Sequence, residues 1–139
     1  PEINYWKRFK ENDNMDLSDF ETKVAYSTCV TAMNMEADAI VCYTHTGDSA
    51  RRIAGLGAGC PILAITDNRR TFNQLAIAWN VTPIYVEKKD SIDEVVEAGI
   101  EKLKSKGILE KGDMVVVAGG AKWLASAEDS KIIGGIAKI

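Results

Sequence analysis

The chain has 139 residues, of which 46% are hydrophobic and 27% charged, and a formal net charge of −3, which fits one globular domain. Acidic and basic residues are mixed along the sequence, so neither a nucleic-acid track nor binding to an anionic membrane is expected. The longest apolar runs have strand length, well short of the roughly 20 residues that cross a bilayer, and nothing at the start resembles a signal peptide, so we expect a cytoplasmic protein.

The first 16 residues are expected to form a linker with a short helix, and the main domain is placed at 17–139. The chain opens on Pro1 and not on methionine, within an amphipathic pattern, so a longer parent chain is expected. The pattern has more aromatic surface than a free terminus normally shows. Its apolar members are Ile3, Tyr5, Trp6 and Phe9.

Four apolar runs of strand length alternate with helical patterns. A capping box at Ser18-Asp19-Phe20-Glu21 predicts a first helix that ends near residues 35–37, and a second box at Ser91-Ile92-Asp93-Glu94 opens the clearest helix, which stops at Gly107. Two more helices are expected after residues 47 and 68, the first with Ala50, Ile53, Ala54 and Gly57 on one face and the second with Phe72, Leu75, Ala76 and Trp79. The four runs are residues 39–44, 61–66, 82–86 and 114–118.

Runs that are apolar on both faces and separated by helices predict a parallel sheet covered on each side. The fold class is therefore α/β, a three-layer α/β/α sandwich with a mostly parallel sheet of about five strands. Residues 131–139 follow a short connection without a helix, so they are predicted to form an antiparallel C-terminal edge strand. The glycine pair Gly134-Gly135 suggests a bulge in that strand.

Three cysteines, Cys29, Cys42 and Cys60, lie far apart without Cys-x-x-Cys spacing. This pattern argues against a disulfide framework and against a zinc site, so small buried hydrophobes are the expected role. A nucleophilic thiol stays open for Cys60, beside Pro61, although no histidine partner is evident. His45 is the only histidine, and no serine or cysteine is obviously placed for it to activate.

The junction between the first run and the following helix is the main candidate site. Ligands of open α/β sheets bind beyond the carboxyl ends of the strands, here the loops 44–49, 66–70, 87–90 and 118–122. Backbone N–H groups at a helix start favour an anion, most often a phosphate. The alternative is that Thr46 or Ser49 merely caps the helix.

Four segments, in order and spacing, resemble the C-terminal domain of pyruvate kinase: residues 44–50 (THTGDSA), 61–66 (PILAIT), 75–83 (LAIAWNVTP) and 111–113 (KGD). The resemblance covers roughly residues 17–139. It implies a regulatory and oligomerisation domain without catalytic residues or cofactors of its own. The barrel that transfers a phosphoryl group from phosphoenolpyruvate to ADP in glycolysis, with Mg²⁺ and K⁺, lies outside this chain. A homo-oligomer and a sugar-phosphate or nucleotide effector are the implied partners.

The resemblance also implies an effector site that holds a phosphate in the loop after the first strand. Lysine often stands at the place of His45 in effector-responsive members, and a basic residue at the place of Asp48, whose carboxylate opposes a phosphate unless a cation such as Arg51 or Arg52 compensates. Glu128 and Asp129 would oppose a phosphate too. The implied site residues are Thr44, His45, Thr46, Gly47, Ser49 and Lys122.

Two interpretations remain open beside the regulatory domain. The first alternative is a free-standing protein of the same fold that binds small phosphorylated metabolites. An independent enzyme would need an acid or base that the sequence does not identify. For Trp123, packing at a subunit or domain contact is favoured over stacking on a sugar or base.

Overall fold

Helices and strands alternate through the part of the chain that the computed structural model describes: the backbone of residues 17–118, 132–133 and 136–139, and the side chains of residues 22–118 and 138–139. The predicted linker 1–16 and the proposed bulge at Gly134-Gly135 lie outside these residues. The elements are α1 (Leu17–Asn34), β1 (Ala39–Tyr43), α2 (Asp48–Gly55), β2 (Ile62–Thr66), α3 (Arg69–Leu75), β3 (Val81–Tyr85), α4 (Ile92–Ser105), β4 (Met114–Ala118), β5 (Ile132–Ile133) and β6 (Ile136–Lys138).

The strands form one sheet in the order β3-β2-β1-β4-β6-β5. The first four are parallel, with β1 between β2 and β4, and β6 pairs antiparallel with β4. This confirms the predicted α/β sandwich and its antiparallel strand beside β4. The C-terminal segment differs in one respect, because β5 pairs antiparallel with β6, so two short strands stand where one was predicted.

Alternation along the parallel strands separates two apolar layers. Val41 of β1 packs in the layer that contains α4, whereas Ile40 and Cys42 pack in the layer that contains α1, α2 and α3. Side chains of a strand point alternately to opposite faces, so a run that is apolar throughout requires helices on both. The apolar runs of the sequence therefore follow from the covered sheet.

Helix α4 begins as its sequence predicts. The Ser91 hydroxyl accepts a hydrogen bond from the Glu94 N–H at 3.3 Å, and beyond the helix Gly107 adopts a φ of +74°, a value suited to glycine. Ile92 is exposed, contrary to the predicted apolar face, because it is the first residue of the helix. The buried members of that face are Val95, Val96, Gly99, Ile100 and Leu103.

Three helix details differ from the sequence prediction. Helix α1 already includes Leu17, so Ser18 lies within the helix and does not precede it. Gly57, predicted on the face of α2, lies beyond its end with a φ of +73° and is exposed. Helix α3 ends at Leu75, so Ala76 and Trp79 fall outside it and are exposed.

Strand β3 forms one edge of the sheet. The Ile62 N–H donates to the Asn80 carbonyl and the Val86 N–H donates to the Thr66 carbonyl. Alternate residues of a strand direct their amide groups to the same side, so Pro83 and Tyr85 direct theirs away from β2. The Tyr85 carbonyl accepts a hydrogen bond from Lys102 Nζ at 2.8 Å.

Candidate functional site

The loop after β1 folds back on the buried side chain of Thr44. Thr44 Oγ1 accepts a hydrogen bond from the Gly47 N–H at 2.7 Å, and Thr44 is 3% exposed. Gly47 is the residue before α2 and has a φ of +92°. A Cβ on Gly47 would lie 3.0 Å from Cζ of Arg51. Both the left-handed backbone and the close guanidinium therefore favour glycine at this position.

The start of α2 leaves one exposed amide available to a ligand. The Thr46 hydroxyl accepts from the Asp48 N–H at 3.3 Å, but the position before the helix belongs to Gly47, so neither Thr46 nor Ser49 is the capping residue. Among the residues described, no hydrogen bond satisfies the N–H of exposed Ser49, whereas Ala50 is fully buried. Such unpaired amides at a helix start carry partial positive charge.

Arg51 is the cation that lies at this loop. Its Nη1 atom donates to the Thr46 carbonyl at 3.3 Å and lies 3.5 Å from Oδ1 of Asp48. Arg52 instead donates to the Thr22 hydroxyl of α1 at 2.7 Å. Arg51 is therefore placed to offset the Asp48 carboxylate, whereas Arg52 joins α2 to α1.

His45 of the same loop lies beside Asp67, the first residue after β2. His45 Nδ1 is 3.5 Å from Asp67 Oδ1, and their side chains are 66% and 12% exposed. The Tyr43 hydroxyl donates to the same Oδ1 atom at 3.2 Å. Burial, together with the Asp67 carboxylate, raises the pKa of Tyr43, so the phenol keeps its proton. Thr71 of α3 donates its hydroxyl to the His45 carbonyl at 2.6 Å.

The loop after β2 is held by its own polar groups. The buried Thr66 hydroxyl accepts from the Asn68 N–H at 3.1 Å, and the Asn68 side chain accepts from the N–H groups of Arg70 and Thr71. Asn68 is thus the cap of α3. The Arg69 guanidinium lies 4.5 Å from the centre of the Tyr85 ring. Together these contacts fix the β2–α3 loop against the end of β3.

The structure brings five of the six predicted site residues into one loop. Thr44, Thr46 and Gly47 shape that loop, and His45 and Ser49 are exposed on it. Lys122, the sixth, lies outside the described residues, as do Trp123, Glu128 and Asp129. The sequence prediction missed Asp67, Thr71 and Tyr43. For Asp67 the available signal was its position directly after the neighbouring parallel strand.

The cysteine thiols are poor nucleophiles. Burial raises the pKa of Cys42 to about 12 and, with a contribution from Cys60, that of Cys29 to about 11. The pKa of Cys60 is also raised, by burial and by the Asp38 carboxylate. All three cysteines are free. A thiol kept protonated in this way does not support the alternative role of Cys60.

The described residues offer neither a metal site nor a membrane-spanning helix. In that part of the chain, no group of three or more histidine, cysteine, aspartate and glutamate side chains is arranged to hold a metal ion. Nor does any helix within it combine the length and the apolar character that a membrane span requires.

Known proteins match most of the chain. The family model for the pyruvate kinase alpha/beta domain matches residues 22–130. The pyruvate kinase of Clostridium acetobutylicum is 34% identical over 119 residues, covering 86% of this chain and 25% of the relative. That of Haemophilus influenzae is 34% identical over 103 residues, covering 73% and 22%. The chain thus spans about a quarter of the length of the curated relatives it matches.

A solved structure shares the fold. The crystal structure of Cryptosporidium parvum pyruvate kinase superposes with a TM-score of 0.64 at 24% sequence identity, covering 70% of this chain and 20% of that chain. Its similarity extends to the parallel sheet of four strands flanked by helices.

Proposed function

Since the chain belongs to the pyruvate kinase family through its alpha/beta domain, we propose that it acts as the regulatory and oligomerisation domain of a pyruvate kinase. The parent reaction would transfer a phosphoryl group from phosphoenolpyruvate to ADP, in a catalytic barrel outside this chain. Mg²⁺ and K⁺ would act in that barrel and not in this domain. A homo-oligomer in the cytoplasm is part of the same proposal.

The loop of residues 44–49 is the proposed effector site, and it would hold the phosphate of a sugar phosphate or nucleotide. The observation that carries this proposal is the juxtaposition of exposed Ser49, whose amide lacks a partner among the residues described, with the Arg51 guanidinium beside Gly47. Amides at a helix start and a guanidinium supply the donors that a phosphate accepts. Lys122 is proposed as a further phosphate ligand from the segment after β4.

Calorimetric titration and thermal shift with fructose 1,6-bisphosphate, AMP and inorganic phosphate test the effector site. Arg51→Gln should weaken binding about ten-fold or more, because a charge-assisted hydrogen bond contributes about 1.5–3 kcal/mol. Lys106→Gln is the matched control, since it removes one positive charge from an exposed side chain beyond the end of α4. Equal losses in both variants, or a flat response of the wild type to all three ligands, would contradict the proposed site.

A coupled assay tests the assignment of catalysis to the absent barrel. With phosphoenolpyruvate, ADP, Mg²⁺ and K⁺ present, the chain alone should give no pyruvate. Turnover that copurifies with this polypeptide would refute the proposal.

A further inference from the structure

His45 and Asp67 meet because their loops leave neighbouring parallel strands. Tyr43 of β1 is in register with Ile65 of β2, and two residues further along each chain are His45 and Asp67. The strand register therefore brings the two residues to the same edge of the sheet, where His45 Nδ1 and Asp67 Oδ1 lie 3.5 Å apart.

Both partners are held in place. Asp67 is largely buried and accepts the Tyr43 hydroxyl proton in a hydrogen bond of 3.2 Å. The backbone of His45 is fixed by the Thr71 hydroxyl, which donates to its carbonyl at 2.6 Å. The imidazole is thus presented from an anchored residue, with most of its ring exposed.

The carboxylate determines where the ring carries its proton. A neutral imidazole has one protonated and one unprotonated nitrogen, and an unprotonated Nδ1 would direct its lone pair at the negative Asp67. The proton is therefore favoured on Nδ1. Nε2, on the opposite edge of the ring, is then a hydrogen-bond acceptor, and it becomes a donor only when the ring takes up a second proton.

We propose that Asp67 is a positioning residue for the effector loop. Its carboxylate holds the proton of neutral His45 on Nδ1. His45 then offers Nε2–H to a phosphate only as an imidazolium, and phosphate binding takes up a proton. The second part rests on the proposed effector site. Within the part of the chain that the structure describes, the charged and titratable groups near His45 are Asp67 after β2, Tyr43 of β1, and Asp48 and Arg51 of α2.

Nitrogen NMR of the free chain tests the positioning role without any ligand. His45 is the single histidine, so a ¹H–¹⁵N multiple-bond spectrum of the labelled chain contains one set of imidazole signals. At alkaline pH, where the imidazole is neutral, the wild type should show the Nδ1–H form as the major tautomer. Asp67→Asn should shift the major form to Nε2–H. Tyr43→Phe, which keeps the carboxylate, should leave Nδ1–H predominant.

A wild-type spectrum dominated by Nε2–H, or an unchanged ratio in Asp67→Asn, would overturn the positioning role. Titration of inorganic phosphate in two buffers of different ionisation enthalpy tests the linked proton. The wild type should take up a proton on binding, and Asp67→Asn should lose most of that uptake. Binding with equal uptake in both proteins overturns the linkage. Absence of phosphate binding refutes the effector site, while the tautomer ratio still decides the role of Asp67.

Discussion

Gly99 of α4 lies directly against Ile65 of β2. A Cβ atom at Gly99 would stand 2.4 Å from Cδ1 of Ile65, closer than two carbon atoms pack. Helix α4 can therefore approach the sheet closely only because position 99 has no side chain. The contact lies in the layer that also contains Val41 and Val117, beneath the central parallel strands.

Gly99→Ala should lower the free energy of unfolding by about 1–3 kcal/mol, because overpacking outweighs the gain in helix propensity of about 1 kcal/mol. Urea unfolding measures the change. Gly55→Ala is the control, since a Cβ there meets nothing within 4 Å, and it should be neutral or stabilising. Ile65→Ala removes all three carbons that the new Cβ would meet at 2.4–2.7 Å, so in that background Gly99→Ala should cost less than in the wild type. A Gly99→Ala variant as stable as the wild type would show that Ile65 moves aside freely.

Thr44→Val should destabilise the loop after β1 by about 1–3 kcal/mol, because it leaves the buried Gly47 N–H without its acceptor. The present hydrogen bond is 2.7 Å long. Thr44→Ser keeps the hydroxyl and should lose much less. Thermal unfolding of the three proteins measures the difference, and a loss for serine as large as that for valine would show that the hydroxyl is not the main contribution of Thr44.

Asp48→Asn should tighten phosphate binding by about three- to ten-fold, because a carboxylate a few ångströms from a phosphate opposes it by about 1 kcal/mol in a water-exposed site. It also releases Arg51, whose Nη1 now lies 3.5 Å from Asp48. Glu97→Gln, on the exposed face of α4, makes the same charge change far from the loop. The measurement is calorimetry with inorganic phosphate and fructose 1,6-bisphosphate. If both variants bound phosphate equally more tightly, the cause would be the change in net charge and not the position of Asp48.

Stability should fall as pH rises above about 9, where thiols of the unfolded chain ionise. Buried Cys42 keeps its proton, because burial raises its pKa from the ordinary 9.0 to about 12. The stability that protonated Cys42 contributes is therefore fully present below pH 9 and is lost towards pH 12. Over that range the free energy of unfolding should fall by up to about 1.4 kcal/mol per pH unit. Tyr43 and Cys29, whose pKa values are also raised, act in the same direction.

Cys42→Ala isolates this contribution. The variant loses packing at every pH, so the comparison is the slope of unfolding free energy against pH and not its absolute value. Between pH 8 and the alkaline limit of the fold, the slope should be shallower than in the wild type. Parallel lines would show that ionisation of Cys42 is not coupled to unfolding.

The parallel sheet could be predicted because its strands are buried on both faces and so are apolar throughout. The end of α3 could not, since residues 75–79 keep a helical period after the helix has stopped. Asn80 accounts for the early end: it has a φ of +58°, and its side chain donates to the Cys60 carbonyl at 3.1 Å. Asparagine tolerates this left-handed conformation, which turns the chain into β3 and leaves Trp79 exposed.

The loop after β1 could be proposed as a site from the sequence, but the residues that surround it could not be. Thr44 to Ser49 are contiguous, so a single strand-to-helix junction identifies them. The approach of Asp67 to His45 depends on the pairing of Tyr43 with Ile65. The sequence of β1 or of β2 alone does not determine how the two strands align. Thr71 reaches the His45 carbonyl only once α3 is packed beside the loop.

The outer side of β3 has a consequence for association between molecules. An incoming strand would meet no N–H at Pro83 and a Tyr85 carbonyl already occupied by Lys102. Pro83 and Tyr85 therefore do not offer the regular series of backbone hydrogen bonds that an added strand requires. Sheet proteins commonly protect an exposed edge in this way. This side of the sheet is therefore a poor template for the addition of a further strand.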